Sequence, residues 1–399
     1  MNDKTKKVEL LAPAGNLEKL KIAILYGADA VYIGGKKFSL RARASNFEIE
    51  DIVKGCQFAR EHNAKVYVTM NIIPHNEDFE GLDEYLYELE KAGVNGIIVS
   101  SLFIANRAKE ITPKIERHIS TQLSTTNSLA IKAYQELGFS RVVLSRETLP
   151  NDMKNIIKNS PLEIEVFIHG GMCVSYSGRC MLSNHLTLRD ANRGGCAHSC
   201  RWNYNLYLGK KKINKKEFFN IGSKDLVGVS SIADLISMGV KSLKIEGRMK
   251  SIYYIASVVK VYRKIIDDYY NGKPIDENYY YSEIAKAENR LTSTGFLKGK
   301  PTINEQLYNV RSENPTKDFL GIVLDYDEDT SYATIEQRNY FSKDDFLEFF
   351  GPNVSDYKLK VEKIFDENMV ELDVARHPLE IIKIKVPFKV NKYDMVRKA

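Results

Sequence analysis

The chain has 399 residues, 43% of them hydrophobic and 28% charged, with a net charge of +6. This is the balance of a soluble globular protein, long enough for one large domain and a smaller one. The N-terminal MNDKTKKVELLAPAGN lacks the apolar stretch of a secretory signal, and no apolar run reaches the length of a membrane span, so a secreted or membrane-embedded protein is not expected. The cytoplasm is the expected compartment, where thiols stay reduced.

Short β-branched runs alternate with amphipathic stretches from the start. VELLA (8–12), AVYIG (30–34), KVYVTM (65–70), GIIVS (96–100), RHIST (117–121), RVVLS (141–145), IEVFI (164–168) and SLKIE (242–246) are predicted strands. Between most of them apolar residues recur at three- and four-residue steps, as in NLEKLKIAILYG (16–27) and FEGLDEYLYELEKAG (79–93); that spacing buries one face of a helix. Strand–helix alternation implies parallel strands joined by crossover helices, and eight units predict an α/β fold of the (β/α)8, TIM-like barrel type over 1–275. An open doubly wound sheet is the alternative, although no GxGxxG follows the first strand. A long helix over 252–271 closes the barrel and 276–317 is a helical or irregular connector. From 318 to 399, GIVLDYD, SYATIEQ, FLEFF, LKVEKIF, MVELDVA and EIIKIKV read as the strands of a small all-β barrel.

The unit between the seventh and eighth strands is an excursion over 170–240 that carries Cys173, Cys180, Cys196 and Cys200, spaced C-x6-C-x15-C-x3-C. Insertions of this length at the carboxyl end of a strand usually carry function. Four cysteines in one loop-rich segment of a reduced compartment read as metal ligands, and thiolates suit Zn2+ or an iron–sulfur cluster. Structural zinc favours two tight knuckles. The wide first spacing and the glycines at 170, 171, 178, 194 and 195 suit a chain wrapped around the larger group. Cys56, alone upstream, reads as a small buried hydrophobe.

Charge concentrates in the same place. Residues 171–250 hold 14 basic and 5 acidic side chains, +9, whereas 301–399 hold 14 and 19, −5. Such a field suits a polyanion such as tRNA or rRNA, with Lys210, Lys211, Lys212, Lys215 and Lys216 as phosphate contacts; a solvated hairpin tip explains the same lysines equally well. Barrel enzymes place their active groups at strand carboxyl ends. Here those ends are Asn71, Gln122, Arg146, Glu147, His169, Glu246 and Arg248, with Arg41 and Arg43 just past the second strand. Arginine forks with one or two carboxylates would suit a small dicarboxylate beside an RNA base, although arginine and glutamate at strand ends also pair structurally. His169 reads either as a donor behind the metal site or as a packed side chain.

Longer motifs carry a resemblance. EVFIHGGMCVSYSGRCMLS (165–183), LLAPAGN (10–16), GADAVYIGG (27–35), STQ (120–122), RVVLSRE (141–147), GGCAHSCRW (195–202) and SLKIEGRMKSIYY (242–254) resemble the collagenase-like peptidase family, the thirty-second among peptidases of unassigned type. The resemblance covers nearly the whole chain. It implies a [4Fe–4S] cluster on Cys173, Cys180, Cys196 and Cys200 and oxygen-independent hydroxylation, most similar to the branch that forms 5-hydroxyuridine at the wobble position of tRNA with prephenate as a required metabolite. Other branches modify a cytidine of 23S rRNA or a ubiquinone precursor. The tRNA reading also requires an electron donor and leaves room for a paralogue acting beside this chain. Two alternatives stand: a protease, as the family name says, and a non-catalytic RNA-binding protein with a structural metal. The protease is poorly served by the residues, because four of five cysteines are better used as ligands and no HExxH or GxSxG motif occurs.

Overall fold

The computed structural model describes residues 7–40, 46–214, 219–307, 318–352 and 356–399. Arg41, Arg43, Lys215 and Lys216 lie outside the described residues.

Eight parallel strands form a closed barrel: β1 Glu9–Pro13, β2 Ala30–Gly34, β3 Lys65–Met70, β4 Gly96–Val99, β5 Glu116–Ile119, β6 Arg141–Val143, β7 Glu163–Gly170 and β8 Ser242–Ile245. Strand β8 pairs with both β7 and β1, which closes the ring and sets aside the open sheet. Helices α1 Leu17–Leu25, α2 Ile49–Glu61, α3 Leu82–Ala92, α4 Leu102–Ile111, α5 Ser128–Glu136 and α6 Pro150–Asn159 follow the first six strands in turn; α7 Ile232–Met238 precedes β8 and α8 Ile252–Tyr270 follows it. Helix starts are marked by side chains that accept otherwise unpaired backbone N–H groups: Asn16 from Lys19, Asn127 from Ala130 and Ser251 from Tyr254.

Alternation along the strands divides the core. Leu10, Val31, Val66, Ile97 and Val142 face the helices, while Leu11, Tyr32, Tyr67, Ile98 and Val143 fill the lumen, as a packed barrel requires. A buried ion network fills one region of the ring, with Arg141 on Glu165 at 3.3 Å and Lys244 on Glu165 at 2.7 Å.

Strand β7 breaks the alternation where it matters. Its register against β8 slips between Lys244 and Ile245, which pair with Phe167 and His169 and leave Ile168 as an extra residue. This bulge re-aims the side chains beyond it. Past that point, Gly170 and His169 pair antiparallel with a short strand, Asp225–Val227, which in turn pairs with Thr292–Ser293. Neither short strand is evident in the sequence, because two or three residues cannot display a period.

The C-terminal domain is an antiparallel half-barrel. Its sheet runs in the order Tyr357–Lys360, Phe346–Phe350, Met395–Lys398, Phe319–Asp327, Tyr332–Gln337, Ile381–Lys385, Ile364–Asp366 and Glu371–Leu372. It docks on the helices of the barrel. Tyr253 of α8 stacks on Phe319 with ring centres 4.9 Å apart, and Arg397 pairs with Glu283 and Glu348, each at 2.7 Å.

Candidate metal centre and its cavity

The excursion is laced to the barrel mouth by named bonds. Gly170, at φ +100°, turns the chain off β7 where a Cβ would strike the backbone of Glu246; only glycine adopts this turn without strain. Arg201 Nη2 donates to Asp225 Oδ1 at 2.8 Å and to the Met172 carbonyl at 3.4 Å, joining the turn after Cys200 to the turn before Cys173. Cys180 and Asn192 exchange two bonds, backbone N–H to Oδ1 at 3.2 Å and Nδ2 to carbonyl at 3.1 Å. On the barrel side, the Ser177 N–H donates to Glu147 at 2.8 Å and Arg179 Nε to the Gln122 carbonyl at 2.6 Å.

This lacing brings four distant thiols together. Cys173, Cys180 and Cys196 line one cavity of about 180 Å³. Burial first, and then Cys173, Cys196 and Cys180, push the Cys200 thiol up to about 11, so the other three sulfurs lie within electrostatic reach of Cys200. The Cys173 thiol is also raised, by burial and by Cys180 and Cys196, against the lowering effect of the Ser175 N–H and Arg146. The Ser175 N–H donates to the Cys173 sulfur at 3.4 Å, the kind of contact that tunes an iron–sulfur centre. Soft donors, convergence and N–H···S contact fit a thiolate-bound cluster. Among the described residues no three His, Cys, Asp or Glu side chains are grouped to hold a metal ion. Cys56 stands apart, buried in α2, where burial raises its thiol to about 11.

Four of the expected strand-end residues share the cavity with the cysteines: Gln122, Arg146, Glu147 and Glu246. The Arg146 guanidinium lies 3.8 Å over the Phe167 ring and donates to the Gly171 carbonyl at 2.6 Å, which fixes its plane at the rim. Glu246 accepts from the Gly171 N–H at 3.3 Å. Glu147 belongs to the same wall and is held by Ser145 and Ser177.

The remaining expected residues lie elsewhere. His169 does not line this cavity. Its ring is fully buried, with Nδ1 on the Tyr262 hydroxyl at 3.1 Å and Nε2 on Glu288 at 2.7 Å. Simple alternation from the inward Phe167 would aim His169 at the mouth; the bulge at Ile168 turns it outward to α8. Arg248 is buried and binds Ser39 at 2.9 Å, Thr69 at 3.2 Å and the carbonyl of Leu40. Leu40 does line the cavity, so Arg248 acts on its wall. Asn71 accepts from the Leu40 N–H at 3.2 Å and supports the same wall. Lys210, Lys211 and Lys212 are exposed on a hairpin formed by Tyr207–Leu208 and Lys211–Lys212. His198 and Ser177, which also line the cavity, were not singled out in the sequence; both lie within cysteine-bearing motifs, and that position was the only available signal. The Arg201–Asp225 pair gave no local sign at all.

The model of Peptidase family U32 matches residues 15–307, and that of the Peptidase family U32 C-terminal domain matches 315–397. The chain belongs to peptidase family U32. Among relatives in the family, "tRNA hydroxylation protein P1" of Bacillus subtilis is 49% identical over 403 residues, covering 99% of this chain and 96% of that protein. "23S rRNA 5-hydroxycytidine C2501 synthase" of Escherichia coli is 37% identical over 261 residues, 65% of this chain and 39% of that protein. "Collagenase" of Porphyromonas gingivalis is 33% identical over 310 residues, 73% and 74% of the two chains. Family U32 thus includes proteins named for RNA hydroxylation and others named for proteolysis.

Proposed function

We propose that this U32 protein is an RNA-modifying enzyme that hydroxylates carbon 5 of the wobble uridine of tRNA without molecular oxygen. Cys173, Cys180, Cys196 and Cys200 would hold a [4Fe–4S] cluster, and prephenate would serve as co-substrate. The observation that carries this reading is the opening of three of those thiols into one cavity with Arg146, Gln122 and Glu246, in a chain similar over its whole length to a protein named for tRNA hydroxylation.

Replacing a C5–H bond by C5–OH is a two-electron oxidation of the base; it would be balanced by reduction of a C–OH of the co-substrate to C–H, which supplies the oxygen and takes up both electrons, and a cluster held by the four thiolates would pass those electrons singly. The residues of the chain do the rest. Arg146, its plane set by Phe167 and Gly171, presents a fork to a carboxylate of the co-substrate. Gln122 offers an amide beside it. Glu147 reaches the cavity as the base available for the proton that leaves carbon 5. No helix among the described residues is long and apolar enough to cross a membrane, and with tRNA as substrate we place the protein in the cytoplasm.

Nucleoside analysis of bulk tRNA from a strain lacking the gene, and lacking any paralogue, is the direct test. Loss of 5-hydroxyuridine and its derivatives is expected. Unchanged tRNA with a missing 5-hydroxycytidine in 23S rRNA would instead move the substrate to the ribosome.

A further inference from the structure

A second cavity, of about 410 Å³, lies on the other side of Cys173. Glu147, Met172 and Cys173 belong to both cavities and form the partition between them. The outer wall comes from two segments far apart in sequence. They are pinned by backbone bonds from the Lys224 N–H to the Glu305 carbonyl at 2.9 Å and from the Leu307 N–H to the Gly222 carbonyl at 3.0 Å. The volume is that of a small-molecule site.

The lining selects a flat, largely uncharged ligand. Tyr176, 53% exposed, and Phe296 contribute aromatic surface, and every nucleobase has a π-face to place on such a ring. Gly295, at φ +53°, adds no side chain to the floor, where a Cβ would meet Leu226 and Met172. Lys224 is offset by Glu147 and Glu305, so this cavity has no cationic excess with which to hold a dianion. One polar group is left over: the Ser223 hydroxyl is buried on this wall with no hydrogen-bond partner in the protein. Such a group costs stability unless something else bonds to it.

We propose that this cavity receives the unstacked pyrimidine base of the RNA substrate, with its ring against Phe296 and Tyr176 and one polar edge on Ser223. The base then lies against the Cys173 partition while the anionic co-substrate keeps the Arg146 side. The assignment rests on the RNA-hydroxylation reading for its substrate class, since an enzyme acting on a ring atom must take the base out of its stack.

The test uses the full-length protein, prepared anaerobically with its metal, and an anticodon stem–loop carrying 5-iodouridine at the wobble position. Irradiation should cross-link the base to Tyr176 or Phe296, read by mass spectrometry of the joined peptide. Phe296→Ala should lower kcat/KM on unmodified stem–loop by roughly ten-fold or more, with Phe296→Tyr restoring it. Ser223→Ala should lower kcat/KM without lowering the melting temperature, because the hydroxyl has no bond within the protein to lose. A bound stem–loop whose base cross-links on the Arg146 side, outside both cavities or not at all would overturn the assignment. So would a Ser223→Ala enzyme of unchanged kinetics. Cross-linking needs no turnover: a cross-link at Tyr176 with no hydroxylation by the wild type would sink the reaction and leave the base pocket standing, and hydroxylation with the base elsewhere would do the reverse.

Discussion

Arg201 holds Asp225 at 2.8 Å across the excursion, and Asp225 is completely buried. Its second oxygen has no hydrogen bond and faces Arg290 at 3.5 Å and Lys250 at 4.0 Å. Arg201 therefore neutralises a carboxylate that has no access to water, while fixing the turn after Cys200 against the turn before Cys173. Removing one member of a buried pair costs about 3–5 kcal/mol, because the other charge stays behind. Arg201→Ala should lower stability by that order in urea melts and should retain less iron after anaerobic reconstitution. A variant with wild-type stability and wild-type iron content would show that the pair does not hold the cysteines.

The cysteines divide into four and one. Anaerobically purified protein should be brown, with broad absorbance near ~400 nm that bleaches in air, as thiolate-bound iron does. Cys200→Ala should lose the colour and tRNA hydroxylation together. Cys56→Ala should keep both and lose only a little stability from its place in α2. Colourless protein holding stoichiometric zinc would replace the cluster with a structural ion.

Arg248 makes a fork that lysine cannot copy, bonding Ser39, Thr69 and the Leu40 carbonyl from one planar group. Arg248→Lys should keep one of these contacts at best and loosen the Leu40 wall of the cavity. Turnover should fall by about ten-fold or more, the order of a lost charge-assisted bond, while tRNA affinity and its salt dependence stay near wild type. Reduced affinity with unchanged turnover would place Arg248 on the RNA path instead.

Asp394 gives the C-terminal domain a pH signature. Burial raises its carboxyl from 3.8 to about 6, with the Asn391 N–H and Lys260 opposing. The folded state thus binds this proton more tightly than the unfolded chain, and the resulting stability is full below pH 3.8 and lost as pH rises through about 6. Asp394→Asn removes the dependence. Its stability relative to wild type should rise between about pH 4 and pH 6, by at most about 3 kcal/mol, and level off above that. A difference that stays flat across that window in paired thermal melts would mean that Asp394 is not titrating there.

Lys210, Lys211 and Lys212 stand on an exposed hairpin in a segment that also exposes Trp202 and Tyr207, the mixture of charge and aromatic surface that suits single-stranded RNA. Changing these three, with Lys215 and Lys216, to Ser should weaken tRNA binding and flatten its salt dependence, by up to about one slope unit per lost phosphate contact. Normal binding at every salt concentration would return the hairpin to a solvated tip.

Backbone geometry is local, and so the sequence alone determined the barrel. The runs VELLA, AVYIG, KVYVTM and their successors become β1 to β8 because period-two alternation and β-branched composition are written residue by residue. The grouping of Cys173, Cys180, Cys196 and Cys200 was legible for a similar reason: thiol chemistry and a shared segment need no coordinates. Only the tertiary structure decided where the strand-end side chains point. His169 follows an inward phenylalanine and yet faces α8, because one extra residue in β7 shifts its register against β8. Arg248 turns to the ends of β2 and β3, since Ser39, Thr69 and Leu40 offer acceptors there that no spacing in SLKIEGRMK reveals. The strand Met395–Lys398 went unread for want of a period in four terminal residues, although its partners Phe319–Asp327 and Phe346–Phe350 settle it at once. The second cavity is the extreme case. Tyr176, Ser223 and Phe296 meet only because pairings between Asp225–Val227, Thr292–Ser293 and the end of β7 bring three distant segments to one wall, and contacts between distant segments leave no periodic trace in a chain.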